Sequence, residues 1–407
     1  MAPGTCPEGW PPGCGVFAGA RPLSVASPRE PLEFLPLPVP FFDIHYRLDQ
    51  EGRAEVLEKW AAVLDHGGFI GGPEIAELEE TLASEFGLGE VVACSNGSDA
   101  LVLSLRAAGV GPGDEVVVPA FTFIATAGAV ARVGAVPVFA DVDSDSGLLD
   151  TASVVAKVTD KTTAVMTVHL FGRPAPVGPL AEAVAASSGR PVPILEDAAQ
   201  AVGSVGEEGP CGALGIAAGF SCFPTKNLGA AGDAGFAATR DADLADRMRS
   251  LRHHGGQNYL HHEVGFNFRM DPIQAAFLLH QLPKLAGFQE ARREGADHYA
   301  RLFADAGLGG KVIPPADAPG HVFHQYVIRA ENRDGLKVHL DEAEIGSAIY
   351  YPIPLHLQPC FADLRGAEGD LPACEKLAGR VLALPIHPGV TSSQREEVVA
   401  AIAAFYS

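Results

Sequence analysis

The chain has 407 residues, 47% of them hydrophobic, enough for a large core and for two or three domains. Fifty acidic residues against 29 basic ones give a formal net charge of −21, which excludes general nucleic-acid binding, since that needs a basic footprint. No run of about 18 apolar residues argues for a membrane span, and the N-terminus lacks a basic stretch leading into an apolar core.

The seven cysteines are widely spaced, and none forms a CxxC pair or a zinc-spaced cluster, so no metal site is expected. They read as reduced thiols of a cytoplasmic protein.

In chain order, residues 1–36 are rich in Pro and Gly without a period, and read as a disordered or extended segment. Structure is expected from about Phe41. Residues 53–66 have helical spacing and stop at Gly67-Gly68. From about residue 89, short apolar runs alternate with helical patterns. EVVACS, DEVVVP, PVFADV, TTAVMTVHL, PVPILED and AGFSCF read as strands, and SDALVLSLRAAG, TFIATAGAVARVG and LAEAVAASS as helices. Continuous apolar strands separated by helices argue for an α/β domain with a mostly parallel sheet, in which functional groups gather at the carboxyl ends of strands. The chain after Asp271 reads as long helices. A smaller α+β unit follows, with HQYVIRA and SAIYYP as strands and RDGLKVHLDEA and SSQREEVVAAIAAFY as helices. The expected division is 37–285 for a large domain and 286–407 for a small one.

Three segments carry possible chemistry. Asn96-Gly97-Ser98 lies between a strand and a helix start, and is either an anion site made by free N–H groups and the helix dipole or an ordinary capping turn. Asp197 ends an apolar strand. It is either a buried carboxylate that needs a cationic partner, such as a protonated pyridine nitrogen, or a helix cap. Ser221 lies five residues before Lys226, and the small-residue run GAAGDAG follows, where main chain can approach a ligand closely. Lys226 is either a desolvated nucleophilic amine or a surface loop lysine. GxxxxGK[ST] is absent, and no GxGxxG follows a strand, which argues against nucleotide hydrolases and dinucleotide oxidoreductases.

GGFIGGPEIAELEE, NGSDAL, PAFTFIATAGAV, VHLFG, EDAAQA, FSCFPTKNLGAAGDAG, GFNFRMDPIQAA, HQYVIR and YYPIPLHLQP occur in order over residues 38–407. By these motifs the chain resembles the DegT/DnrJ/EryC1/StrS sugar aminotransferases, fold-type I pyridoxal-phosphate enzymes. The resemblance implies a large domain with a mostly parallel seven-stranded sheet, pyridoxal 5'-phosphate as cofactor, and a homodimer with shared sites. It implies Lys226 as the Schiff-base lysine, Asp197 on the pyridine nitrogen, Gln200 near the ring hydroxyl and Phe123 stacked on the ring. Gly97, Ser98 and Ser221 would hold the phosphate, and Asn267 would reach the phosphate of a neighbouring subunit. Gly72, Tyr350 and His356 are implied substrate contacts; Tyr350 opens YYP where many relatives have HYP.

The implied reaction moves an amino group from L-glutamate to a nucleotide-linked 3-keto or 4-keto sugar, with Arg252, Arg269, His253, His254 and His356 as candidates to balance the diphosphate. Three alternatives stand beside it. A dehydratase of the family would carry His in place of Lys226. A pyridoxal-phosphate-binding regulator would keep the fold without turnover. A lyase or decarboxylase of the same fold would not need the motifs after residue 260.

Overall fold

The computed structural model describes residues 37–257 and 259–407. The segment expected to be disordered, 1–36, lies outside the described residues. Alternating apolar runs place the first five strands as β1 (Glu90–Cys94), β2 (Glu115–Pro119), β3 (Val136–Ala140), β4 (Thr162–Val168) and β5 (Ile194–Asp197). A short hairpin, β6 (Val205–Gly206) and β7 (Gly209–Pro210), precedes β8 (Ala217–Ser221) and β9 (Gly235–Thr239). Seven of these form one sheet in the order β1-β9-β8-β5-β4-β2-β3. All neighbours pair parallel except along β9, which runs antiparallel to both β1 and β8. The carboxyl ends of β1, β2, β4, β5 and β8 therefore share one edge, and the start of β9 joins them there.

Helices cover both faces. On one, helix Gly97–Ala107 buries nearly its whole length with Val92, Val116, Val118 and Met166. On the other, helices Pro73–Phe86 and Pro272–Gln281 pack with Val91, Ala93, Phe220 and Phe236. Strands buried from both sides read as unbroken hydrophobic runs for this reason.

A two-residue hairpin, β10 (Gly256–Gln257) and β11 (Leu260–His261), leads to the helices Pro272–Gln281 and Leu285–Asp305. Beyond them β12 (Val312–Ile313), β13 (Tyr326–Ala330) and β14 (Val381–Leu384) form an antiparallel sheet. Its core combines Tyr299, Tyr326, Leu336, Leu382 and Ile402 with Val39 from the start of the described chain. No helix among the described residues is long and apolar enough to cross a membrane.

Among the described strands of four or more residues, two escape the periodicity. β9, GFAAT, consists of small residues with little strand preference, and β14, VLAL, lies outside the segments read as strands. Conversely, SAIYYP is not a strand. Ala348 alone bridges to Ala383, because Tyr350 and Tyr351 turn toward a cleft and Pro352 and Pro354 offer no N–H.

Candidate active site

At the shared strand edge lies a cleft of about 670 Å³. β1 delivers Asn96, Gly97 and Ser98, the loop after β2 delivers Thr122 and Phe123, β5 delivers Asp197 and, beyond it, Gln200, and β8 delivers Ser221 and then Lys226. Tyr350 and Tyr351 close the far side, with His324 and Gln325 beside them.

The helix starting at Gly97 is capped by Asn96, whose Oδ1 accepts the Asp99 N–H at 2.9 Å. The N–H groups of Gly97 and Ser98, as at any helix start, have no intrahelical acceptor. Main chain and β8 meet closely here, since a Cβ on Gly97 would lie 2.6 Å from Ser221 Cβ. A Cβ on Gly235 would lie 2.4 Å from the Asn96 carbonyl carbon. That glycine of the small-residue run makes room for the turn at Asn96; from the same run, Asp233 and Ala234 line the cleft.

Asp197 is 5% exposed. Thr126 donates to its Oδ2 at 2.7 Å and the Ala199 N–H donates to Oδ1 at 3.2 Å. No ion pair to it forms among the described residues. Burial raises its carboxyl above the ordinary value, and Thr126, Ala199 and Lys226 offset this only in part. Burial likewise lowers the Lys226 amine to about 8, against the opposing pull of Asp197 and Cys222.

The lysine turn is fixed by main-chain bonds: Lys226 N to Phe223 O at 2.8 Å, and Ala230 N to Cys222 O at 2.8 Å. Asn227 then donates through Nδ2 to Val322 O at 3.2 Å, with its Oδ1 3.2 Å from His324 Nδ1.

Gln200 accepts the Phe171 N–H at 2.6 Å and lies 3.4 Å from the Tyr351 hydroxyl. Phe123, half exposed, faces Tyr351 with ring centroids 6.2 Å apart. The chemistry of this set fits pyridoxal phosphate: free N–H groups and hydroxyls for a phosphate, a buried carboxylate short of a cation for a pyridine nitrogen, an amine of lowered basicity, and an aromatic face.

Other expected residues lie elsewhere. Asn267 is exposed on a segment bridged to His253, outside the cleft lining. His253, His254 and Arg269 line a separate surface cleft, with Arg269 Nη1 3.3 Å from His253 Nδ1. Arg252 is taken up by Glu79 at 2.5 Å and by Ala93 O at 2.6 Å. Gly72 is the buried N-cap of helix Pro73–Phe86, and His356 is buried 3.1 Å from Glu375; neither lines the cleft. Sequence reasoning missed Thr126, Tyr351 and His324, although each lies in a quoted motif. What a motif does not give is which side chain turns inward.

The sequence profile of the DegT/DnrJ/EryC1/StrS aminotransferase family matches residues 50–403. The chain is 45% identical to a pleiotropic regulatory protein of Geobacillus stearothermophilus, over 90% of this chain and 98% of that one. It is 44% identical to the UDP-N-acetyl-3-dehydro-alpha-D-glucosamine 3-aminotransferase of Acidithiobacillus ferrooxidans, over 86% and 92%. Among solved structures, NtdA of Bacillus subtilis with the cofactor PMP bound superposes with a TM-score of 0.83 at 28% identity, covering 90% of this chain and 85% of that one.

Proposed function

The chain belongs to the DegT/DnrJ/EryC1/StrS aminotransferase family, and from that premise we propose that it moves an amino group from L-glutamate to the 3-keto group of a nucleotide-linked sugar. It is a sugar aminotransferase whose cofactor is pyridoxal 5'-phosphate. The observation that carries the residue assignment is one cleft lined by both a buried carboxylate lacking a cation and an amine lowered to about 8. The 3-keto position is supported by the 44% identical relative, which is a 3-aminotransferase.

When bound, the cofactor supplies the carbonyl and the electron sink that let an amino group leave one molecule and join another. Lys226 is the attachment point and the proton shuttle: an amine lowered to about 8 can both accept and return a proton at Nζ near neutral pH. Asp197 would hold the pyridine nitrogen, with Thr126 orienting its carboxylate. The N–H groups of Gly97 and Ser98 and the Ser221 hydroxyl would hold the phosphate. Phe123 would offer its face to the ring and Gln200 its amide to the ring hydroxyl, and Tyr350, on the cleft wall, would contact the sugar.

We further read the working unit as a homodimer. Lys226 is the only lysine or arginine among the described cleft residues, whereas Asp197 and Asp233 are both there. A cofactor phosphate and a nucleotide diphosphate need more positive charge than that. Asn267 and Arg269 sit beside an exposed segment that carries Tyr259, Leu260 and Val264, apolar side chains suited to burial against a second copy.

Half-reaction spectroscopy tests the reading. The yellow holoenzyme is expected to bleach with L-glutamate and to regain colour with a 3-keto nucleotide sugar faster than with a 4-keto one. Colour that no amino donor bleaches would favour a regulatory role, the description that the 45% identical relative carries.

A further inference from the structure

Near the lysine turn, outside the cleft lining, lie two buried guanidiniums with no carboxylate partner among the described residues. Arg47, from the turn His45–Arg47, is 4% exposed, and Arg292, from helix Leu285–Asp305, is 1% exposed. Arg47 donates through Nη2 to the carbonyl of Lys226 itself and through Nη1 to Asn227 O at 3.4 Å. Its face lies 5.2 Å from the Tyr46 ring centroid and 5.7 Å from that of Phe288. Arg292 donates to the carbonyls of Phe323 and His324, each at 3.2 Å. Asn227 ties the two segments together through Val322 O and His324.

A buried cation without a counter-ion carries a desolvation cost that an apolar residue of the same volume would avoid. The acceptors Arg47 has found are main-chain carbonyls at the lysine turn. We propose that Arg47 is a positioning residue for Lys226: its guanidinium holds the lysine's main chain in register with the cleft and keeps a fixed positive charge at the lysine turn. Asp197 from β5 and Cys222, just beyond β8, favour a proton on that amine, while Arg47 bears on its neighbours Cys222 and His324, and Arg292 on His324. By Coulomb's law, the fixed charge of Arg47 against the lysine turn opposes a proton on the amine. Burial together with Lys226, Arg292 and Arg47 also keeps His324 neutral, so His324 adds no further charge.

The inference rests on the assignment of Lys226 above, and its test separates the two. Full-length holoenzyme is titrated with alkali, and the visible absorption of the lysine-linked cofactor gives a midpoint without any turnover. Arg47→Met is expected to raise that midpoint by about one pH unit, because a positive charge opposing protonation is gone. It is also expected to lower kcat about tenfold or more, with KM for the donor within about twofold. Arg47→Lys keeps the charge and loses the fork, so its midpoint stays near wild type while kcat falls. Variants that melt at lower temperature but keep the wild-type midpoint and kcat would overturn the proposal, since packing alone would then account for Arg47. Should Arg47→Met yield no folded protein, Arg47→Lys decides: wild-type kcat in it overturns the proposal. A wild-type holoenzyme that no donor bleaches would count against the transaminase reading and leave the midpoint comparison intact.

Discussion

Glu196 and Asp197 are neighbours on β5, and both are buried, at 0% and 5% exposure, yet the protein treats them in opposite ways. Glu196 is saturated. It accepts from His169 Nε2 at 2.8 Å and from the N–H groups of Gly212, Leu214 and Gly215 at 2.7, 2.9 and 2.6 Å. The Ala175 N–H points into His169 Nδ1 at 2.9 Å, which fixes the proton on Nε2. Burial alone would raise the Glu196 carboxyl, but these donors hold it below its ordinary value. Asp197 points to the other face, as strand geometry requires. It receives one hydroxyl and one N–H, and its carboxyl stays raised. A carboxylate that the protein satisfies is there to hold structure. One left short of donors at a cleft is free to take a ligand's donor.

Substitutions test this contrast. The largest expected effect is Asp197→Asn, which keeps the shape and removes the charge; transamination should fall about 10²–10³-fold with little change in melting temperature. Glu196→Ala should do the reverse. Leaving a histidine and three N–H groups unpaired in the core costs about 3 kcal/mol or more by denaturant unfolding, while the folded fraction keeps activity within about threefold. Equal losses of activity in the two variants would break the comparison.

A third measurement concerns Lys226 in cofactor-free protein. Its amine is lowered from 10.5 to about 8 in the fold, so between those values the unfolded chain binds more protons. Stability therefore rises with pH across that window, by up to about 3 kcal/mol, and is flat with respect to this group below pH 8. Lys226→Met should be the more stable protein at pH 7, with the gap narrowing toward pH 10. A gap independent of pH would contradict the burial of the amine. The smallest expected effect is Thr126→Val. Losing one hydroxyl donor to Asp197 should weaken cofactor retention by about tenfold, read by the rate at which absorbance is lost on dilution.

The sheet edge was legible because its chemistry sits just after apolar runs. ILED predicts a buried strand end, and Lys226 follows AGFSCF. The contrast between Glu196 and Asp197 was not legible. Glu196 takes its donors from residues 169 and 212–215, and Asp197 takes its hydroxyl from Thr126, 71 positions earlier. β9 escaped because Gly, Ala and Thr carry little periodicity, and SAIYYP misled because its apolar residues face a cleft instead of a sheet. Arg47 gave no signal at all: its acceptors are the carbonyls of Lys226 and Asn227, which no side-chain pattern encodes. His356 lies in a motif suggestive of substrate contact, and its Nε2 stands 3.1 Å from Glu375, a pairing the motif does not encode.

The central claim is that Lys226 carries the cofactor, and reductive trapping tests it most directly. Holoenzyme is treated with borohydride, digested and mapped by mass spectrometry. One cofactor-sized adduct is expected on the peptide containing Lys226, lost in Lys226→Ala. An adduct on a different lysine, or yellow holoenzyme with no adduct on that peptide, would contradict it.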